Sequence, residues 1–260
     1  MIRIEDIRNY FPSEIRDNSI FDKYFLKEYL QLLILDYLST TLFIRKLAFI
    51  GGTCLHLVKG IDRFSEDLDF DCKELTKDEF TEMTDDILQF LKHNGLQVVV
   101  KDQDNKKLQA FRRNFLFPGL LFNLGLTGHH DEKLLIKVES QDQLVNYNPE
   151  LINIKGCGFF FPFPVPPDNI MCAMKISAMI NRQKGRDFYD SMFLLGQTLP
   201  DFSFLAERCG ISNLQELKRV VENMLRSVDL NKKMKDFEHL LFNRNNSKRI
   251  LRVGDFIQEL

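Results

Sequence analysis

Leu47-Ala48-Phe49-Ile50-Gly51-Gly52-Thr53-Cys54-Leu55 leads, past Gly60, into Arg63-Phe64-Ser65-Glu66-Asp67-Leu68-Asp69-Phe70-Asp71. The apolar run Leu47–Ile50 stops at a Gly-Gly pair, as a buried strand does on entering a turn. Thr53–Lys59 suits a short helix that Gly60 ends. Glu66–Asp71 alternates acidic and apolar residues, the pattern of a half-buried strand. Asp67, Asp69 and Asp71 then share one face, with Leu68 and Phe70 on the other. Neighbouring carboxylates on a rigid strand repel each other unless a cation lies between them. An all-oxygen set suits Mg2+, which keeps waters and substrate phosphate as further ligands. Upstream, a Gly51-Gly52 turn opening a helix offers backbone N–H groups and the positive end of the helix dipole to a phosphate chain, and Thr53 adds a hydroxyl. Asp-x-Asp alone is as readily a solvated strand face. The order strand, Gly-Gly-Thr, helix, strand with Asp-x-Asp is far more specific. Arg63 and Ser65 flank the acids, either orienting them or finishing the turn.

Around this stretch the pattern mixes helices and strands. Phe21–Leu38 is free of Gly and Pro and reads as a helix. Thr76-Lys77-Asp78-Glu79 is a capping box whose helix runs to Gly95. Leu96–Lys101, Leu108–Phe117, Leu120–Leu126 and Lys133–Glu139 read as short strands of a meander. Asn146–Pro167, with its Asn-Pro, Gly-Cys-Gly and Phe-Pro steps, reads as a loop and a domain boundary, and Asp168 is expected to cap the next helix. The remainder to Leu260 reads as helices. The expectation is therefore an α+β chain: a domain over 1–165 with a mixed β-sheet and flanking helices, then a helical C-terminal domain over 166–260.

Composition narrows the classes. With 260 residues the chain can bury a core without disulfide or metal staples. An apolar share of 44% with net charge −2 excludes wholesale disorder and a uniformly basic nucleic-acid coat, so any nucleic-acid contact must come from a local patch. The five cysteines are scattered without a Cys-x-x-Cys pair, as reduced thiols of a cytoplasmic protein are. Met1–Tyr10 carries four charges and reads as no secretory signal, and Arg45 and Lys46 interrupt the longest apolar candidate for a membrane span. A monomer is the default expectation.

Two further groups could carry chemistry. In Lys137-Val138-Glu139, Lys137 and Glu139 share a face. If that strand lies beside Glu66–Asp71, Glu139 is a candidate third carboxylate, as metal ligand or general base. A surface salt bridge with Lys137 is the equal alternative. In Lys175–Asp190, Lys175 and Arg182 share a helix face, joined by Arg186 if the helix continues through Gly185. Three cations in line suit triphosphate or departing pyrophosphate, and Asp187 could orient one of them or accept a proton. Intrahelical ion pairs on a surface helix are the plainer reading of the same residues.

Phe49 to Leu55 together with Arg63 to Phe70 closely resembles the first motif of the AbiEii/AbiGii toxin family. Ile136-Lys137-Val138-Glu139 is similar to its second motif, and Lys175 through Asp190 to its C-terminal motif. The matches keep the family's order from about residue 25 to about residue 200, which makes them jointly specific. The resemblance implies a DNA polymerase beta-like nucleotidyltransferase acting as a toxin of abortive-infection or toxin–antitoxin systems. The family's MenT branch adds nucleotides to the tRNA 3′ end and blocks charging. By resemblance, Gly51, Gly52 and Thr53 hold the triphosphate with Arg63 and Ser65 beside them. Asp67 and Asp69 hold Mg2+, with Glu139 as a third metal ligand. Lys175 binds nucleotide phosphates with Arg182 and Arg186 nearby, and Asp187 is the last motif's catalytic acid. The implied partners are an NTP, tRNA and a cognate antitoxin. Nucleotidylation of a protein hydroxyl, Asp-x-Asp-dependent glycosyl transfer and a non-catalytic NTP-binding regulator are the alternatives. The sugar version fits the Gly-Gly-Thr turn least. Residues 211–260 carry ten Lys+Arg against seven Asp+Glu, an excess that suits an RNA surface or ordinary solvation.

Overall fold

The computed structural model of the protein describes residues 2–102 and 110–260. The chain forms two compact units. The first comprises Met1–Gly60, Phe64–Leu144 and Pro149–Val165; the second comprises Ile61–Arg63, Val145–Asn148 and Pro166–Leu260.

The first unit begins with helices α1 (Ile4–Arg8), α2 (Ser13–Arg16) and α3 (Asp22–Ser39). It continues through β1 (Leu47–Ile50), α4 (Gly51–Lys59), β2 (Asp67–Cys72) and α5 (Lys77–His93). β3 (Val99–Asp102), β4 (Phe111–Phe117), the single turn α6 (Leu120–Asn123) and β5 (Leu134–Gln141) follow. The hairpin strands β6 (Glu150–Gly156) and β7 (Phe159–Val165) close it.

Five strands form one mixed sheet in the order β1-β2-β5-β4-β3, in which only the β2–β5 pair is parallel. That parallel pair sets Asp67 beside Lys137 and Asp69 beside Glu139; β4 then sets Arg112 beside Glu139. Strand alternation thus divides the sheet. One face carries Leu68, Phe70, Ile136, Val138 and Phe115, all buried. The other carries Asp67, Asp69, Lys137, Glu139 and Arg112. The apolar face is closed by packing on α3, α5 and the hairpin: Phe163 of β7 lies against the rings of Phe49 and Phe70, and Tyr37 of α3 stacks on Phe90 of α5 at 4.2 Å. α5 starts at a capping box between Thr76 and Glu79.

Three local expectations are corrected. Asn146–Pro167 is not a loop, because most of it forms the antiparallel hairpin β6–β7. Each strand of a two-stranded sheet has an open edge, where the N–H that Pro162 or Pro164 lacks has no ladder partner to lose. Leu120–Leu126 is not a strand: Pro118 and a left-handed Gly119 break the chain, and one helical turn follows. Asp168 is the first residue of the next helix rather than its cap, which is Pro167 and makes no side-chain cap bond. The start of the Leu108–Phe117 run lies outside the described residues.

The second unit is helical: α7 (Asp168–Arg182), α8 (Gly185–Leu195), α9 (Phe202–Cys209), α10 (Leu214–Leu225), α11 (Leu230–Lys235), a 3-10 segment Arg244–Arg252 and α12 (Val253–Gln258). α7 stops at Arg182 because Gln183 adopts a left-handed conformation. Arg186 therefore sits on a different helix from Lys175 and Arg182, and the three cations expected in line are not on one helix face.

Candidate functional site

β1 ends and α4 begins within two residues, and Gly51 makes this possible. Its φ is +83°, and an added Cβ would stand 2.4 Å from Asp69 Oδ2. Only a glycine permits that backbone and that approach together. The Asp69 carboxylate is thereby packed against the helix-opening bend. The first N–H groups of a helix have no acceptor within it, and they carry the positive end of its dipole. The cap, Ile50, supplies no side-chain bond.

Thr53 is buried, and its hydroxyl donates to the main-chain carbonyl of Asp67. It clamps α4 to β2, and its hydroxyl is committed to the backbone rather than offered to a triphosphate. Asp71 shares the parity of Asp67 and Asp69 yet is buried, accepting the backbone N–H of Gln143 at 2.8 Å. The main-chain carbonyl of Ser65 accepts a bond from Gln31.

The acids meet cations from the neighbouring strands. Lys137 Nζ lies 2.8 Å from Asp67 Oδ2 and 3.8 Å from Glu139 Oε2. Arg112 reaches Glu139 Oε2 with Nε at 2.7 Å and Nη2 at 2.6 Å. These side chains are about one-fifth to one-quarter exposed, so the row is open to solvent. Three carboxylates and two cations leave one net negative charge along the row.

Among the described residues no three His, Cys, Asp or Glu side chains converge as a ready metal cage. The expected third ligand, Glu139, is instead held by Arg112. Asp67 and Asp69 still fit a hard divalent cation: they are oxygen donors on one strand face, and the Lys137 ammonium already stands against one of them. A two-carboxylate set suits Mg2+, whose remaining ligands are waters and substrate phosphates.

In the second unit, Lys175 and Arg63 share one carboxylate. Arg63 is bidentate to Asp190 through Nε at 2.7 Å and Nη2 at 2.6 Å, and Lys175 Nζ reaches Asp190 Oδ2 at 2.8 Å. Burial pushes the Asp190 acid up, but Arg63 first and then Lys175 outweigh it and hold Asp190 well below the ordinary carboxylate range. Arg63, expected beside a nucleotide, is thus committed to a buried ion pair. Asp187 is fully buried: Oδ1 accepts Arg182 Nη2 at 2.6 Å and Oδ2 accepts the Lys184 N–H. It ties Arg182 to the first turn of α8. Arg186 is half-exposed on that turn. The residues that sequence reasoning missed are Arg112 and Asp190. Arg112 has no motif of its own, and only strand register brings it to Glu139. Asp190 stands at the end of the quoted motif, three residues past Asp187.

The five-stranded mixed sheet thus sets the acids Asp67 and Asp69 beside the Gly51 bend. Two solved structures share the fold: JHP933 from Helicobacter pylori, at 21% identity, TM-score 0.55, covering 91% of this chain and 90% of that one; and MenT4, the nucleotidyltransferase toxin Rv2826c from Mycobacterium tuberculosis H37Rv, at 17% identity, TM-score 0.61, covering 100% and 91%. No curated protein matches the chain. The family described as nucleotidyl transferase AbiEii toxin, type IV toxin–antitoxin system, matches residues 33–241, and the chain belongs to it. An NTP substrate and an antitoxin partner follow from that membership. No helix among the described residues is long and apolar enough to cross a membrane.

Proposed function

We propose that the protein transfers NMP from an NTP to a hydroxyl of an acceptor, the tRNA 3′ end, and so blocks translation. The observation that carries this reading is the Asp69 carboxylate packed against the Gly51 bend, with Asp67 on the same strand face. A triphosphate on the Gly51–Thr53 turn meets backbone N–H groups and the α4 dipole, with Asp67 and Asp69 beneath it. Mg2+ held by these two acids supplies charge neutralisation for the phosphoryl oxygens. Glu139, anchored by Arg112, lies on the same row as a candidate base for the attacking hydroxyl. The acceptor oxygen attacks the α-phosphorus in line, the α–β bridging bond breaks, and pyrophosphate leaves with its electron pair. The family's C-terminal motif assigns Lys175, Arg182 and Arg186 to that leaving charge. Position and electrostatics supply the rate. The reading also places the protein in the cytoplasm, where charged tRNA is made and used.

The test is incubation of the purified protein with Mg2+, each labelled NTP in turn, and separate tRNA and protein fractions. Label is expected in tRNA, and Asp69→Ala should abolish it. Full transfer by Asp69→Ala overturns the scheme. Label in protein alone would make the acceptor a protein hydroxyl, and NTP binding without pyrophosphate release would make the chain a regulator.

A further inference from the structure

We propose that Lys137 is a resident counter-cation of Asp67 that must swing away before a divalent ion loads, so that metal and nucleotide bind cooperatively. The proposal rests on Asp67 and Asp69 being the metal ligands. Lys137 is the register neighbour of Asp67 across the parallel β2–β5 pair, and its ammonium lies between Asp67 and Glu139, at 2.8 Å and 3.8 Å. Arg112 holds Glu139 from the next strand at 2.6 Å, so Lys137 is not needed there and its close partner is Asp67. A divalent ion and an ammonium against one carboxylate oxygen repel each other.

Lys137 can leave. Its side chain is 25% exposed, and its charge sits at the end of a flexible four-carbon stem, unlike the rigid fork of Arg112. On leaving Asp67 it needs an anion not already shared with another cation, and Glu139 is shared with Arg112. A triphosphate supplies one. Metal alone must expel the ammonium into water, whereas metal arriving with an NTP lets it turn to phosphate. The two ligands should therefore strengthen each other, and the coupling should pass through this one side chain.

The experiment titrates Mn2+ into the full-length protein and follows free Mn2+ by electron paramagnetic resonance, with and without a non-hydrolysable NTP analogue. Wild type should bind Mn2+ weakly alone and more tightly with the analogue. Lys137→Met, which keeps the stem and removes the charge, should bind Mn2+ alone roughly two- to fivefold tighter, the range set by removal of a partly exposed ion pair. Its gain from the analogue should shrink. Lys137→Gln should do the same, which guards against a packing defect in one variant. Unchanged or weaker Mn2+ binding in both variants overturns the proposal. Adding Asp67→Asn to Lys137→Met separates the two failures. If Mn2+ then binds undiminished, the ion is not held by these acids, and the underlying reading falls with the proposal. If binding is lost but Lys137→Met had given no gain, the counter-cation role alone falls.

Discussion

A methyl group on Gly51 would land 2.4 Å from Asp69 Oδ2 and force a side chain onto a backbone with φ +83°. Gly51→Ala should therefore cost about 1–3 kcal/mol in stability and, more tellingly, push the Asp69 carboxylate off the bend. Transfer activity is expected to fall far more than the melting temperature; equal activity with a lowered melting temperature would show that the bend is only structural. Asp190 makes a different prediction. It is fully buried between Arg63 and Lys175, and Asp190→Ala removes the carboxylate that both buried cations share, for about 3–5 kcal/mol. Its folded pKa is depressed, so its stabilisation is complete above the ordinary carboxylate pKa and is lost as pH falls from there toward the lower folded value. Denaturation midpoints followed down from pH 5 should drop in the wild type and drop less in Asp190→Asn, which starts lower. Parallel curves would mean that other carboxylates govern acid unfolding. At this scale the site was half legible. Gly51, Asp67 and Asp69 announce themselves because a turn and an alternating strand are local. Arg112 does not, since its partner is 27 positions away and only the strand register joins them. Asp187 and Asp190 are both buried acids on one helix, and only the paths of Arg63 and Lys175 tell them apart.

Among the elements, the joint of α7 and α8 is the most constrained. A Cβ on Gly185 would meet the main-chain carbonyl of Lys233 at 1.9 Å, and the Gly185 N–H donates to the Asp236 carboxylate at 3.1 Å. Because the obstacle is backbone, it cannot turn aside. Gly185→Ala should pry α11 from the start of α8, read as faster amide exchange across residues 230–240 while the β-sheet amides stay protected; uniform protection would show that α11 simply shifts. The hairpin offers a packing test. Phe163 is fully buried against Phe49 and Phe70, so Phe163→Ala should cost about 3–5 kcal/mol, read from a denaturant midpoint. A loss under about 1 kcal/mol would show that the hairpin is not part of the sheet's core. The same hairpin shows where sequence reading stops. Turn-rich Asn146–Pro167 has the composition of a loop, and its strands are betrayed only by the alternation of Ile152, Ile154, Phe161, Phe163 and Val165. Helices α3, α4 and α5 were legible because an unbroken run, a glycine stop and a capping box are each set by neighbouring residues, whereas a strand of prolines is decided by having an open edge.

For the whole molecule, a net charge of −2 conceals an uneven distribution. Between Leu230 and Arg252 stand Lys232, Lys233, Lys235, Arg244, Lys248, Arg249 and Arg252, against only Asp236 and Glu238. α11 and the 3-10 segment pack together, and Lys232, Lys248 and Arg252 are exposed. Of the two acids, Asp236 is already engaged by the Gly185 N–H. If the acceptor is tRNA, such a surface meets its phosphates, and affinity should fall steeply as salt rises through counterion release. Reversing Lys232, Lys248 and Arg252 to glutamate together should lower the slope of log affinity against log salt by roughly two, at about 0.7–0.9 for each phosphate that is no longer neutralised. The same variant should keep Mn2+ binding, since none of the three is an acid of the proposed metal site. Fluorescence anisotropy with labelled tRNA across a salt series reads the slope directly. An unchanged slope would place the RNA on another face, and an affinity indifferent to salt in the wild type itself would argue that the hydroxyl being modified belongs to a protein.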